Sequence, residues 1–241
     1  MTQKSYINAP QTNSQLLSKV TVDVDTRKKL ISEFIGTYFL VFAGTGAIIV
    51  DSLTNSLTHV GVAITFGLVV LALIYSFGHI SGAYFNPAVT IAFLYLGKIS
   101  KKEAIQFFLT QLLAATGASV TLLIMFGNVA HLGATSPSGS LIQSFVLEFI
   151  LTFVLMIVIL TSSVHGKAIK SFAGIAIGAT IALEAMFGGP ISGASMNPAR
   201  SFGPAVVSGT FNDLWLYFVS TILGSLCAAI VYQTLHEEEQ K

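Results

Sequence analysis

Long apolar stretches separated by short polar segments run along the chain from about residue 30 to about residue 233. Six of these stretches hold about 20 residues each, and about 20 residues of α-helix cross the hydrocarbon core of a bilayer. They cover about residues 30–50, 60–78, 103–126, 142–162, 171–189 and 214–233. The pattern therefore predicts six membrane-spanning helices.

Two shorter apolar segments, at about 87–96 and 198–207, would reach only halfway across a membrane as helices. Each begins with the same tripeptide, Asn86-Pro87-Ala88 in the first and Asn197-Pro198-Ala199 in the second. Proline suits the first turn of a helix, where its missing N–H would have no partner, and asparagine suits the N-cap before it. We predict two re-entrant half-helices that start at these tripeptides.

The two halves of the chain repeat one another. Ile-Ser-Gly-Ala occurs at 80–83 and again at 191–194, and each time two residues separate it from the Asn-Pro-Ala that follows. Glu-Phe-Ile opens both halves, so Glu33 and Glu148 stand at equivalent places. Each half holds three spans, an odd number, so the second half enters the membrane from the opposite face. We predict an all-α membrane protein built as an inverted repeat, with the half-helices meeting near the midplane.

This repeat divides the chain into five segments. The first repeat covers residues 27–126 and the second covers residues 142–235, with an extracytoplasmic loop at 127–141 between them. Residues 1–26 are rich in Asn, Gln, Ser and Thr, so we expect a flexible cytoplasmic tail there. Residues 236–241 form a short cytoplasmic tail at the other end.

Composition agrees with a membrane protein, because 53% of the residues are hydrophobic, only 10% are charged, and the mean hydropathy is +0.77. Eleven of the twelve lysines and arginines fall on one side of the predicted spans, Arg200 being the exception. Positive residues concentrate in cytoplasmic loops, so we expect both termini in the cytoplasm. The net charge of +1 gives no reason to expect a nucleic-acid partner, and we expect no metal ion and no cofactor.

The paired asparagines point to a pore. When each asparagine carbonyl caps its own half-helix, its NH₂ group is left facing the other amide, at the positive ends of two helix dipoles. A passing water or hydroxyl oxygen must accept from both amides, which interrupts a proton-passing chain, and the dipoles repel cations. We predict a pore that conducts neutral molecules without a leak of charge.

These motifs resemble those of a known family, the aquaporins or major intrinsic proteins, over nearly the whole chain from about residue 30 to residue 232. The likeness runs through Gly-His-Ile-Ser-Gly-Ala at 78–83 and Gly-Ala-Ser-Met-Asn-Pro-Ala-Arg-Ser-Phe-Gly-Pro at 193–204. The resemblance implies a right-handed bundle of six helices with two re-entrant half-helices, one pore per subunit and a homotetramer.

In this family four residues form an outer constriction, and distance from the two asparagines carries it over to Phe66, Ala185, Ala194 and Arg200. The matching arginine donates hydrogen bonds to solute and adds to the barrier against cations; the alternative for Arg200 is snorkelling to the headgroups. Water-selective relatives usually have histidine where Ala185 stands, so the two alanines imply a wider opening. Such a set resembles the plant nodulin-like branch and bacterial relatives that pass glycerol or neutral metalloid acids.

Other positions resemble a strict water channel instead. Glycerol facilitators typically have aspartate directly after the pore arginine and a basic residue shortly beyond, whereas this chain has Ser201 and Ala205. We give the constriction residues more weight, because they would touch the solute directly.

Four titratable residues within or directly next to the predicted spans need separate interpretations. We expect Glu33 and Glu148 to accept hydrogen bonds from the re-entrant backbone, since backbone groups need partners inside a membrane. We expect His79 at the cytoplasmic mouth, with gating as an alternative role. Glu184 is either a structural acid or, if the alignment shifts by one residue from Ala185, a pore-lining group.

We therefore predict a passive channel, not an enzyme, that conducts water and small uncharged solutes and excludes protons and ions. Glycerol is the expected solute, with urea and neutral arsenous or boric acid as further candidates. A strictly water-selective channel is the first alternative, and an ion-coupled secondary transporter, which also uses inverted repeats and broken helices, is a remote one. The expected surroundings are the lipid bilayer of a bacterial-type inner (plasma) membrane.

Overall fold

The computed structural model describes the backbone of residues 13–236 and the side chains of residues 25–236. Its helices are, in chain order, α1 (Asn13–Thr54), α2 (Thr58–Ser81), α3 (Pro87–Tyr95), α4 (Lys101–Phe126), α5 (Leu141–Ile159), α6 (Ala173–Ser192), α7 (Pro198–Ser208) and α8 (Leu214–His236). Six helical segments in this part of the chain are long and apolar enough to cross a membrane. The short helices α3 and α7 are the two half-helices, so the predicted all-α architecture is confirmed.

The start of α1 differs from the prediction. Residues 13–26, which we expect to belong to a flexible tail, are helical and run without a break into the first span. In the sequence, Leu16, Leu17 and Val20 have the spacing of one helical face, a signal that the surrounding polar residues obscure. Residues 1–12 and the predicted tail beyond His236 lie outside the described residues.

Both re-entrant loops have the same backbone course. Helices α2 and α6 end at Gly82 and Gly193, whose φ angles are +91° and +86°. Glycine adopts this left-handed conformation without strain because it has no Cβ. The next residues repeat the pattern in both loops, with positive φ at Ala83, Phe85, Ala194 and Met196. The sharp turns bring the chain back into the membrane, where α3 and α7 begin.

Glycines on facing helices allow the long helices to pack closely, because they have no side chain. A Cβ on Gly67 of α2 would lie 2.4 Å from the carbonyl oxygen of Gly178 in α6, and one on Gly178 would lie 2.7 Å from the Gly67 oxygen. A Cβ on Gly224 of α8 would lie 2.4 Å from the Phe149 oxygen in α5. The hydrophobic effect does not drive helices together inside lipid, because the lipid tails are equally apolar. Van der Waals contacts between closely packed backbones therefore supply much of the attraction between the helices.

The half-helices are exchanged between the two halves of the molecule. Helix α7, from the second repeat, packs mainly on α4 of the first, and α3 packs mainly on α8 of the second. Outward positions on the long helices carry apolar side chains such as Ile124 and Ile142, exposed by 79% and 77%, as a lipid-facing surface requires. The exchange brings the N-termini of α3 and α7 to the centre of the bundle.

Candidate functional site

The two asparagines cap the half-helices in the predicted way. The Asn86 Oδ1 accepts a hydrogen bond from the Ala88 N–H at 2.9 Å, and the Asn197 Oδ1 accepts one from the Ala199 N–H at 2.9 Å. Pro87 and Pro198 occupy the first turns. Because both helices begin here, their positive dipole ends and their capping amides meet at one place.

The amide NH₂ groups differ in one respect from the prediction that both simply face the pore. The Asn86 Nδ2 donates to the carbonyl oxygen of Met196 at 2.8 Å, and the Asn197 Nδ2 donates to that of Phe85 at 2.9 Å. These reciprocal bonds tie the two re-entrant loops together. Each NH₂ group has two hydrogens, so one remains for a molecule in the pore.

Glu33 and Glu148 hold the two loops from behind. The Glu33 carboxylate accepts hydrogen bonds from the Ser81 hydroxyl at 2.7 Å and from the backbone N–H groups of Tyr84 at 3.0 Å and Phe85 at 2.8 Å. It also accepts one from the Gln111 side chain at 2.8 Å. The carboxylate thereby satisfies backbone donors that water cannot reach.

Glu148 repeats this arrangement in the second half. It accepts hydrogen bonds from the Ser192 hydroxyl at 2.7 Å and from the N–H groups of Ser195 at 2.8 Å and Met196 at 2.9 Å. Both glutamates are fully buried. The expected contacts with the re-entrant backbone are therefore present, and neither glutamate lines the cavities described next.

Two cavities within the bundle share part of their lining. One, of about 720 Å³, is lined by both capping asparagines and by His79 and Lys170. It opens toward the face that carries Lys98, Lys101, Lys102, Lys167 and Lys170, here called the basic face. The other, of about 320 Å³, is lined by Asp51 and His59 and opens toward the opposite face. His79 thus lies at the basic-face end of the larger cavity, and its side chain is exposed.

Four lining residues are shared by the two cavities, and they are Phe66, Ala185, Ala194 and Arg200. These are the four positions predicted as the constriction from their distances to the asparagines. They therefore lie where the two cavities adjoin. A Cβ on Gly44 would lie 2.1 Å from the Phe66 ring, so this glycine provides the space in α1 for the phenyl wall.

Arg200 is held inside the protein rather than snorkelling. It is 2% exposed, its guanidinium carbon lies 5.1 Å from the centre of the Phe66 ring, and its Nη1 donates to the Gly133 carbonyl oxygen at 2.7 Å. That carbonyl follows a left-handed turn over Ala130–Leu132, in which all three φ angles lie between 47° and 55°. The carbonyl oxygen and the ring face offset the unfavourable position of a cation near a helix N-terminus.

Glu184 does not face either cavity, whereas Ala185 lines both, so the alternative of a one-residue shift is wrong. Glu184 is 2% exposed, and neither carboxylate oxygen has a hydrogen-bond partner among the described residues. An ionised carboxylate without partners is costly to bury.

Several contributors to the site lack a signal in the sequence. The Gly133 carbonyl that holds Arg200 comes from the loop between α4 and α5, and nothing in its local sequence links it to the constriction. His59 reaches the smaller cavity from the first turn of α2. Within the described residues, no cluster of three or more His, Cys, Asp or Glu side chains could hold a metal ion.

Residues 20–232 match the family model described as MIP, Major intrinsic protein. The chain belongs to this family. It is 47% identical over 218 residues to the protein named Aquaporin NIP1-1 from Zea mays, which covers 90% of this chain and 77% of that protein. It is 43% identical over 234 residues to Nodulin-26 from Glycine max, which covers 95% of this chain and 86% of that protein.

A solved structure agrees with the fold. The X-ray structure of the aquaglyceroporin from Plasmodium falciparum matches with a TM-score of 0.75 and 28% identity, over 86% of this chain and 95% of that chain. This major intrinsic protein is thus an integral membrane channel for water and small solutes, and members of its family are channels rather than enzymes. The two sequence relatives named above are plant proteins, so they give no support to a bacterial-type membrane.

Proposed function

We propose that this channel conducts water and small uncharged solutes, glycerol foremost, and excludes protons and ions. One observation carries the proposal: the four residues shared by the two cavities include an alanine at position 185, where the family's water-selective members usually have histidine. Urea and neutral arsenous or boric acid have similar size and remain further candidates. Transport is passive, along the gradient of the solute.

The solute range follows from the shape and chemistry of the constriction. Ala185 and Ala194 end at Cβ, so two of the four lining side chains leave space for a small carbon or metalloid skeleton. Phe66 supplies an apolar wall and Arg200 supplies donors on the other side. A polyol, which has an apolar backbone edge and a row of hydroxyls, suits such a lining.

Charge exclusion follows from the positive groups along the pore. The buried guanidinium of Arg200 repels cations at the constriction, and the N-termini of α3 and α7 repel them at the midplane. The second hydrogen of each asparagine amide donates to the oxygen of a passing molecule. A water molecule held in this way cannot also accept a proton from its neighbour, so proton transfer along the file stops.

Two features keep the alternative of a strict water channel in view. Ser201 and Ala205 stand where glycerol facilitators typically have an acidic and a basic residue. Ion coupling, the remote alternative, would need a site for the coupling ion, and Glu33 and Glu148 already accept hydrogen bonds from three or four donors each.

The decisive experiment is stopped-flow light scattering on proteoliposomes, with water, glycerol, urea and boric acid measured for the wild type and for Ala185→His. We expect the imidazole to narrow the constriction and to lower glycerol permeability at least about tenfold relative to water permeability. Ala179→His places the same side chain on the same helix at an exposed position that lines neither cavity, and it should leave the ratio unchanged.

Three outcomes would contradict the proposal. Glycerol permeability equal to that of protein-free liposomes would favour the strict water channel. An unchanged ratio in Ala185→His would remove Ala185 from the constriction. Solute flux that depends on an ion gradient would favour the coupled transporter.

We also propose that the assembled protein is a homotetramer with both termini in the cytoplasm. The lysine-rich basic face supports this orientation, because positive residues concentrate on the cytoplasmic side of membrane proteins. Light scattering coupled to size-exclusion chromatography in detergent tests the subunit number, and protease protection of a tag added at the C-terminus in right-side-out vesicles tests the orientation.

A further inference from the structure

His59 projects into the smaller cavity just outside the constriction. Its Nε2 lies 2.7 Å from the carbonyl oxygen of Met186, the residue that follows Ala185 in α6. A carbonyl oxygen can only accept, so Nε2 carries the hydrogen of this bond. In the neutral imidazole the other ring nitrogen, Nδ1, is then a hydrogen-bond acceptor.

The ring is seated closely on α6. A Cβ at Gly189 would lie 2.6 Å from the His59 Cε1, so the imidazole rests where this helix has no side chain. Gly189 lies one turn beyond Ala185 on the same helix. The imidazole therefore lies one turn outside the position that is occupied by histidine in the family's water channels, and it arrives from a different helix.

The remaining charged groups that line this cavity are Asp51 and Arg200. The Asp51 Oδ1 accepts hydrogen bonds from the N–H groups of Leu57 at 3.1 Å and Thr58 at 2.7 Å, which hold the turn before α2. Arg200 offers only donors to the pore. A hydroxyl group needs both an acceptor for its hydrogen and a donor for its oxygen, and His59 Nδ1 supplies a neutral acceptor on this route.

We propose that His59 is a specificity-determining residue of the channel, whose Nδ1 accepts a hydrogen bond from a hydroxylated neutral solute, such as a polyol, as it approaches Arg200. The inference rests on the proposed function, since it assumes that such solutes pass. It assigns the smaller cavity as an entry site for hydroxyl compounds and adds a fifth residue to the four of the constriction.

The test compares glycerol and water permeability of proteoliposomes for wild type, His59→Phe and His59→Gln. Loss of one net hydrogen bond predicts a fall in the glycerol-to-water ratio of about two- to tenfold in His59→Phe. His59→Gln can donate to Met186 with its amide nitrogen and accept with its oxygen, so it should keep most of the ratio.

Val60→Phe serves as the matched control. It places a phenyl group on the next residue of α2, which is 52% exposed and lines neither cavity. This variant should keep the wild-type ratio. If His59→Phe keeps the wild-type ratio, or if His59→Gln loses as much of it as His59→Phe does, the role of His59 is wrong while the proposed function stands. If wild type conducts no glycerol above protein-free liposomes, both proposals fail.

Discussion

The two re-entrant loops share a scaffold but not a chemistry. In each, a buried glutamate accepts hydrogen bonds from a serine and two backbone N–H groups, and a left-handed glycine turns the chain. Beyond this frame they diverge. The first loop carries Tyr84, whose ring stacks on Phe93 with centroids 4.5 Å apart, whereas the second carries Ser195, whose hydroxyl bonds that of Ser201 at 2.6 Å.

The divergence is sharpest three residues after each asparagine. There the first half has Val89, which is buried in an apolar cluster, and the second has Arg200. The repeat thus specifies how a half-helix is held, and under the proposed function single substitutions within it determine what the pore selects. Four predictions distinguish the support of the half-helices, which both loops share, from the selectivity of the pore.

The largest effect is expected from the glutamates that both loops share. Glu148→Ala leaves three buried donors without an acceptor, and each unsatisfied buried group costs about 1–3 kcal/mol, so we expect the free energy of unfolding to fall by about 3–9 kcal/mol. Glu33→Ala should be at least as damaging, since four donors lose their partner. The measurement is the temperature at which heated, detergent-solubilised protein loses its size-exclusion peak.

Glu103→Ala is the control for these two variants. Its carboxylate bonds Lys29 at 2.8 Å, and both side chains are partly exposed, so the expected loss is less than about 1 kcal/mol. If Glu148→Ala resists heat as well as Glu103→Ala does, the hydrogen bonds of Glu148 do not stabilise the second re-entrant loop.

The next effect concerns the position at which the halves differ most. Arg200→Val gives the second half the residue of the first and removes a buried cation from the constriction. At about 6 Å and an effective dielectric constant of about 20, one unit charge repels another by about 3 kcal/mol, so cation leak should rise about 100-fold. Liposomes loaded with a pH-sensitive dye measure this leak. Lys102→Val, at an exposed site on the basic face, should show no increase in cation leak. If Arg200→Val shows no increase either, the barrier against cations lies elsewhere.

A smaller effect is expected four residues after each asparagine, where both halves have a hydroxyl. The Ser201 Oγ accepts a bond from Thr135 at 2.7 Å and meets Ser195, whereas the Thr90 Oγ1 accepts one from Gln111 at 3.0 Å. Ser201→Ala and Thr90→Val should each lower the free energy of unfolding by about 1–2 kcal/mol. Only Ser201→Ala should also change the glycerol-to-water ratio, because Thr135 belongs to the loop that holds Arg200. Equal ratios in both variants would mean that this loop does not govern selectivity.

The smallest effect is expected for Glu184→Gln. The amide has the shape of the neutral acid and replaces oxygens that have no hydrogen-bond partner among the described residues, so unfolding and flux should change by less than about 0.5 kcal/mol. Glu148→Gln, by contrast, places an NH₂ group against backbone donors and should be clearly less stable. A Glu184→Gln channel with altered flux would give this residue a part in the pore that its position does not suggest.

Much of the architecture could be predicted from local pattern. The sequence predicts α3 at about 87–96, and the helix extends over Pro87–Tyr95. It predicts α7 at about 198–207, and that helix extends over Pro198–Ser208. The Asn-Pro pair determines these starts through capping and the fixed φ of proline, which are properties of adjacent residues. The four predicted constriction positions came from the family resemblance, which fixes their distances along the chain from the two asparagines, and all four line both cavities.

Contacts between distant loops could not be predicted in this way. The Gly133 carbonyl meets Arg200 only because three residues before it adopt left-handed angles, and neither periodicity nor composition signals such a turn. His59 in α2 contacts Met186 in α6, which lies 127 residues farther along the chain. The crossed bonds of the asparagines likewise depend on the fold as a whole.

Those crossed bonds also have a consequence for biosynthesis. The Phe85 carbonyl accepts its hydrogen bond from an asparagine 112 residues farther along the chain. At a translation rate of about 5–20 residues per second, the donor is made about 6–20 s after the acceptor. During that interval the nascent first half presents an unfinished hydrogen-bonding edge inside the translocon or the lipid. Synthesis of the second half supplies the missing hydrogen-bond partners. The pore therefore forms in the same step that satisfies the polar groups of the first half.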